Sequence, residues 1–256
     1  MKQKTISEYL KERFGTKVYR LALTSGCTCP NRDGTISTGG CTFCSEQGSG
    51  EFAALFMPVR EQIKAAKRLV DPKFPAGSRP EERRYIAYFQ SFTNTYGRPE
   101  ELRKIFLEAI EQPEIVILSI ATRPDCLPPE ILDMLEELGR IKPVWVELGL
   151  QTANEETARR INRGYALPVF EKAVQELRSR GIGVIVHIIL GLPGETEEDM
   201  LGTVKYLSGI FEQESGAETD AMKQGASHTG IKLQELQILK GASMAEQFSR
   251  EPFPVL

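Results

Sequence analysis

Four of the chain's five cysteines stand within eighteen residues, in the stretch SGCTCPNRDGTISTGGCTFCSEQGSG from Ser25 to Gly50. Cys41-Thr-Phe-Cys44 is a pair spaced by two residues. Cys29 precedes Cys41 by eleven intervening residues, and Cys27 stands two before Cys29. Thiolates at such spacings reach one metal centre from a single loop. Two centres compete. A zinc site would use all four cysteines in a closed tetrahedron and serve structure alone. An iron–sulfur cluster would use three and leave one iron open to a ligand. Cys126 is isolated and reads as a small buried residue.

The rest of the chain alternates strand and helix around this loop. Strands are expected at Lys17–Thr24, Tyr85–Gln90, Ile115–Ile120, Val144–Gln151, Val184–Leu190 and Ile231–Leu239. Helices are expected at Pro58–Val70, Pro99–Glu111, Pro128–Leu138, Asn154–Ile161, Leu167–Arg180 and Thr196–Leu207. Six such units predict parallel strands joined by right-handed crossovers. A closed eight-unit barrel needs more chain. The expected fold is therefore an α/β partial (β/α)6 barrel, with a doubly wound open sheet as the alternative. One domain is expected over 1–256, with its core at about 17–240. Residues 212–229, polar and rich in small side chains, read as a mobile surface loop, a lid being the lesser reading. Residues 241–256 read as a short C-terminal segment. The cysteine loop follows the first strand, which is where a parallel barrel builds its site.

Strand four shows its faces. In VWVELGLQ, Val144, Val146, Leu148 and Leu150 alternate with Trp145, Glu147, Gly149 and Gln151. Period two puts the apolar set under helices and points Glu147 and Gln151 into the barrel, with Gln151 at its upper rim. A buried polar pair satisfied within the core explains them equally. His187 in VIVHIIL reads first as a core histidine.

At the phrase CPNRDGTISTGGCTFC the chain resembles the radical S-adenosylmethionine (SAM) superfamily, and within it a small bacterial subfamily related to the Elongator catalytic subunit that shares the long cysteine gap. The resemblance runs from about Lys17 to Lys240 through GLQT (Gly149–Thr152), Asn162-Arg163-Gly164, TRPD (Thr122–Asp125) and GLPGET (Gly191–Thr196). It implies a [4Fe–4S] cluster on Cys29, Cys41 and Cys44, with SAM on the fourth iron and a 5′-deoxyadenosyl radical as product of its cleavage. It makes Phe43 the aromatic near adenine, and Gln151, Arg163, Arg123 and His187 contacts to SAM. In QSFTNTYG (Gln90–Gly97) the acid usual in these enzymes is missing; the resemblance puts Gln90, Thr93, Asn94 and Tyr96 at that rim, with Asn94 as a cofactor contact. Ala121 stands where Elongator proteins have glutamate. Gln234, Gln237 and Lys240 are candidates to face substrate. The implied substrate is a modified wobble uridine in tRNA, carboxymethylaminomethyl going to aminomethyl. The implied electron donor is of the flavodoxin or ferredoxin kind.

Composition bounds the alternatives. Formal net charge is −3, so contact with nucleic acid would need local basic patches. Lys64, Lys67, Arg68, Arg83, Arg84, Arg159 and Arg160 are such residues, though helical charges usually form a solvated face. The N-terminal MKQKTISEYLKERFG has charges and no apolar core, and no run of about 18 apolar residues occurs. A cytoplasmic enzyme without membrane contact is expected. The competing functions are a radical SAM enzyme on a small metabolite or protein, and a non-catalytic zinc-stabilised binding module.

Overall fold

The computed structural model describes residues 4–46, 48, 56–213 and 228–254. Six strands form one sheet in sequence order: β1 (Val18–Leu23), β2 (Arg84–Phe89), β3 (Ile115–Thr122), β4 (Val144–Gln151), β5 (Gly183–Leu190) and β6 (Thr229–Glu235). Every neighbouring pair is parallel. A doubly wound sheet would reverse its strand order at a switch point. This order has no reversal, so the sheet curls into a partial barrel.

Helices cover the outer face. They are α2 (Val59–Val70), α3 (Pro99–Ile110), α4 (Pro129–Gly139), α5 (Glu155–Arg160), α6 (Leu167–Ser179) and α7 (Glu197–Gln213), preceded by α1 (Ile6–Phe14) and followed by α8 (Ser243–Arg250). Pro99 and Pro129 open their helices, where a fixed φ helps and the missing N–H costs nothing. The apolar set of β4, Val144 to Leu150 by twos, lies in the main core with Phe106, Leu135, Phe170 and Leu177 from the helices. Each such side chain stabilises the fold by about 1.5–3 kcal/mol on burial.

The opposite face lines the barrel interior. Its lower part is a second apolar cluster of Val18, Ile86, Ile117, Trp145 and Ile185, closed by Leu10 of α1. Helix α1 was not among the expected elements. Its start is a capping box: the Thr5 hydroxyl accepts from Glu8 N–H, and the Glu8 carboxylate accepts from Thr5 N–H.

Two boundaries moved. Helix α7 extends past Leu207 to Gln213, because Ile210 and Phe211 still pack on the core. Strand β6 stops at Glu235: Leu236 N–H makes a last bond to Leu190 O at 2.9 Å, and the Leu236 and Ile238 side chains pack at the rim with Ile189 and Met244. The expected mobile loop at 212–229 gives its ends to α7 and β6, and its middle, 214–227, lies outside the described residues. Among the described residues no helix is long and apolar enough to cross a membrane.

Candidate active site

The chain leaves β1 at Leu23 and enters the cysteine loop. Buried Gln62 of α2 holds the exit: Thr24 N–H donates to its Oε1 at 2.8 Å, and its Nε2 donates back to Thr24 O at 3.0 Å. Asn94 holds the next residue, accepting from Ser25 N–H and Oγ while its amide donates to the carbonyls of Phe89, Ser91 and Ala121. Asn94 is thus a buried brace that ties the loop to the ends of β2 and β3. It is buried and stands behind the residues that line the cleft described next.

The eleven-residue gap between Cys29 and Cys41 is folded on itself, with a bridge between Asp33 and Thr38. Asn31 Nδ2 donates to Asn162 O at 2.6 Å, and Asn162 Nδ2 donates to Gly40 O at 2.8 Å. Thr42 is gripped from both sides: its N–H donates to Ile161 O at 3.0 Å, and its carbonyl accepts from Met244 N–H at 2.9 Å. The C-terminal segment therefore anchors the loop through α8, a role its sequence did not suggest.

Cys29, Cys41 and Cys44 all line one cleft of about 710 Å³ at the upper end of the barrel. The Cys41 thiol is pushed well above its usual range, first by its hydrogen bond with Cys44, then by burial and by the Cys44 charge. The Arg123 guanidinium opposes the shift. Asn31 Nδ2 also reaches Cys41 Sγ at 3.5 Å. Cys27 lies elsewhere: its Sγ is 3.2 Å from where a Cβ on Gly97 would stand, and Leu102 of α3 is the next neighbour there. Among the described residues no three His, Cys, Asp or Glu side chains converge tightly enough for a single ion. Three soft donors facing a shared space with a cation beside them fit a multi-iron, positively charged core. The four-cysteine tetrahedron of a zinc site would need Cys27 to leave its place beside Gly97.

The rim residues are held tightly. Arg163 is almost fully buried. Its five N–H groups go to Leu150 O, Thr152 O, Tyr165 O twice, and the Glu155 carboxylate. A guanidinium with every donor engaged positions the turn after α5 and the end of β4, and it borders the cleft. Arg123 is clamped by both Asp125 oxygens, at 2.9 and 2.7 Å, donates to Arg163 O, and lies 5.1 Å from the Tyr165 ring centre. Gln151 takes φ 69°, a left-handed conformation at the end of β4, where the ladder with β5 shifts register. Its amide folds over Gly149, 2.6 Å from where a Cβ on that residue would stand. The left-handed backbone of Gln151, a non-glycine residue, costs on the order of 1–3 kcal/mol, the kind of strain that gathers at functional sites. Phe43 borders the cleft and packs against the rim cluster of Ile161, Ile189, Leu192 and Met244.

Lower down, every strand sends one polar side chain inward: Arg20, Tyr88, Ser119, Glu147, His187 and Lys232. Glu147 is the hub. Ser119 Oγ donates to it at 2.6 Å, His187 Nε2 at 2.6 Å, and Arg20 approaches at 3.1 Å. Burial pushes the Glu147 carboxyl up, but the His187 hydrogen bond and the charges of Arg20, His187 and Lys232 outweigh it and hold the group at about 2. His187 is shifted down, chiefly by burial. A neutral ring facing a carboxylate carries its proton on Nε2, so His187 is oriented by Glu147. Sequence had pointed at His187 and Glu147 separately; Lys232 was missed. Of the other candidates, Gln90, Thr93, Gln234 and Gln237 line the cleft. Lys240 does not, and neither does Tyr96, whose hydroxyl pairs with Thr35 at 2.8 Å. Thr196 caps α7, its hydroxyl accepting from Asp199 N–H at 3.2 Å.

Residues 33–207 match the sequence pattern of the Radical SAM superfamily. The chain belongs to that superfamily. It is a radical SAM enzyme, and enzymes of this superfamily work with a [4Fe–4S] cluster and SAM. Among its relatives, the uncharacterized protein YtqA of Bacillus subtilis (strain 168) is 41% identical over 247 residues, 96% of this chain and 70% of that protein. The threonylcarbamoyladenosine tRNA methylthiotransferase of Xenopus laevis is 29% identical over 185 residues, 67% of this chain and 31% of that protein. Among solved structures, the archaeal Methanocaldococcus infernus Elp3 superposes with a TM-score of 0.59 at 19% identity, covering 93% of this chain and 50% of that one. The chain thus spans half of that structure, and the likeness is one of fold: six parallel strands in a curled half-barrel.

Proposed function

We propose that Cys29, Cys41 and Cys44 hold three irons of the [4Fe–4S] cluster, leaving the fourth for SAM, and that the substrate is a modified wobble uridine in tRNA whose carboxymethylaminomethyl side chain is processed to aminomethyl. The observation that carries the ligand set is the common cleft of these three thiols, with Cys27 beside Gly97 outside it. A cluster held by these three thiols would supply the electron for reductive cleavage of SAM. Around it the chain's own groups have separate tasks. Arg123, fixed by Asp125, sets positive charge beside Cys29 and Cys41. Asn31 donates to the Cys41 sulfur. Phe43 walls the cleft with an apolar ring, and Gln151, on its left-handed backbone, presents its side-chain amide at the rim for SAM. His187, oriented by Glu147, offers its other ring nitrogen to SAM or substrate. The electron comes from an external donor of the flavodoxin or ferredoxin kind.

Support for an RNA substrate is the 29% identity to a protein named as a tRNA methylthiotransferase and the resemblance to the Elongator-related subfamily. The test compares modified nucleosides in tRNA from cells with and without the gene. Loss of aminomethyl and accumulation of carboxymethylaminomethyl uridine are expected on deletion. Unchanged wobble uridines, with SAM cleavage intact in the purified protein, would move the substrate to a small metabolite or a protein.

A further inference from the structure

The ring of six inward side chains is out of charge balance. Arg20 and Lys232 bring two cations, and Glu147 is the one acid among the six. Burial shifts His187 toward its neutral form, and charging it would only add to the excess. Arg20 takes the close seat on Glu147, at 3.1 Å. Lys232 is left with long contacts: its Nζ stands 3.8 Å from the Glu147 carboxylate and 3.4 Å from the Tyr88 hydroxyl. A surplus charge in a half-buried site is costly unless a counter-charge meets it.

Neighbouring groups do not meet it. Arg123 and Arg163, the cations above, are already paired with Asp125 and Glu155. Arg32 donates to the carbonyls of Cys44 and Ser45. Glu235, the other acid on the cleft, lies three residues along β6, on the alternate face of the strand. Lys232 itself lines the cleft, with 32% of its side chain exposed there, as do Tyr88 and His187.

We propose that the cleft floor is a carboxylate subsite, where the Lys232 ammonium and the Tyr88 hydroxyl hold a monoanionic group of the substrate. The surplus is one charge, which one carboxylate neutralises and a phosphate dianion would overshoot. Depth favours the same group. Lys232 pairs with His187, and His187 with Gly149, two residues below Gln151. That is about 7 Å below the rim at roughly 3.3 Å per residue. A backbone phosphodiester, flanked by sugars on both sides, does not descend that far; a carboxylate ending a narrow side chain does. The subsite deepens the tRNA reading and rests on it only for the substrate's identity, since the carboxymethylaminomethyl group ends in a carboxylate.

The test uses the full chain with its cluster oxidised, and [13C]acetate as probe, read by NMR line broadening. Saturable acetate binding is expected, not displaced by equimolar inorganic phosphate. Lys232→Met should raise the acetate dissociation constant by about tenfold or more, as expected for a hydrogen bond to a charged group, and Lys232→Arg should restore it. Circular dichroism checks that both variants fold. No saturable binding to the parent protein, displacement by phosphate, or equal binding to parent and Lys232→Met would overturn the subsite. In a second arm, an anticodon stem-loop bearing carboxymethylaminomethyl uridine is compared with one bearing aminomethyl uridine. The parent should prefer the first, and Lys232→Met should lose the preference. An intact acetate site with no stem-loop preference would support the subsite and count against the tRNA substrate alone.

Discussion

Replacing Glu147 by glutamine removes one charge and almost no volume, and it isolates the electrostatics of the barrel interior. In the folded chain the Glu147 carboxyl sits at about 2, against an ordinary glutamate value of 4.5. That difference corresponds to about 3 kcal/mol of stability at neutral pH, within the range of breaking a buried ion pair by deleting one partner. The sign follows from the depression: the contribution is complete above about 4.5 and is lost as pH falls toward 2. E147Q should therefore be about 3 kcal/mol less stable than the parent at pH 7, which lowers the melting temperature by roughly 6–12 °C in a chain of this size. The gap should close on acidification. The assay is urea unfolding of the cluster-free protein at a series of pH values from 7 to 3. Adding Lys232→Met to E147Q should recover part of the loss, since it removes a cation left without its acid. A gap below about 1 kcal/mol at pH 7, the size of an exposed pair, or one that stays constant down to pH 3, would refute the buried hub.

Further outcomes follow from the rim and the loop. Cys41→Ser should lose iron and SAM cleavage while keeping the far-ultraviolet circular dichroism of the barrel; Cys27→Ser should keep its iron, by metal analysis after anaerobic purification. Asn31→Ala removes a hydrogen bond to a ligand sulfur, so the cluster's midpoint potential should fall on the order of 40 mV, the one-electron equivalent of about 1 kcal/mol, in a redox titration followed by electron paramagnetic resonance. Arg163→Met strips three buried carbonyls and Glu155 of their donor; it should destabilise the protein by about 3 kcal/mol or more, read by thermal unfolding.

The central strands were legible because parallel strands buried on both faces carry strong apolar runs: β4 was bounded at Val144 and Gln151 from its alternation alone. Proline marked the starts of α3 and α4. Helix α1 carried a readable signal in Thr-Ile-Ser-Glu, a capping box that charge counting passed over. Sequence patterns located Arg163 and Asn94 but could not show that their donors are engaged, because acceptors such as Leu150 O and Thr152 O for Arg163 and Ala121 O for Asn94 are brought to them only by the fold. Lys232 was illegible for a related reason. In IKLQELQIL it is one polar residue among several, and only its register with His187 turns it toward the cleft. The grip of α8 on Thr42 likewise needs the fold, since it joins residues 202 apart in the chain.

The central claim is that three cysteines hold the cluster and leave one iron open. Electron paramagnetic resonance of the anaerobically reconstituted, reduced protein, recorded with and without SAM, tests it most directly. The account predicts four irons per chain and a cluster signal that shifts when SAM is added, in the parent and in Cys27→Ser alike. A signal indifferent to SAM, or a colourless protein holding one zinc, would contradict it.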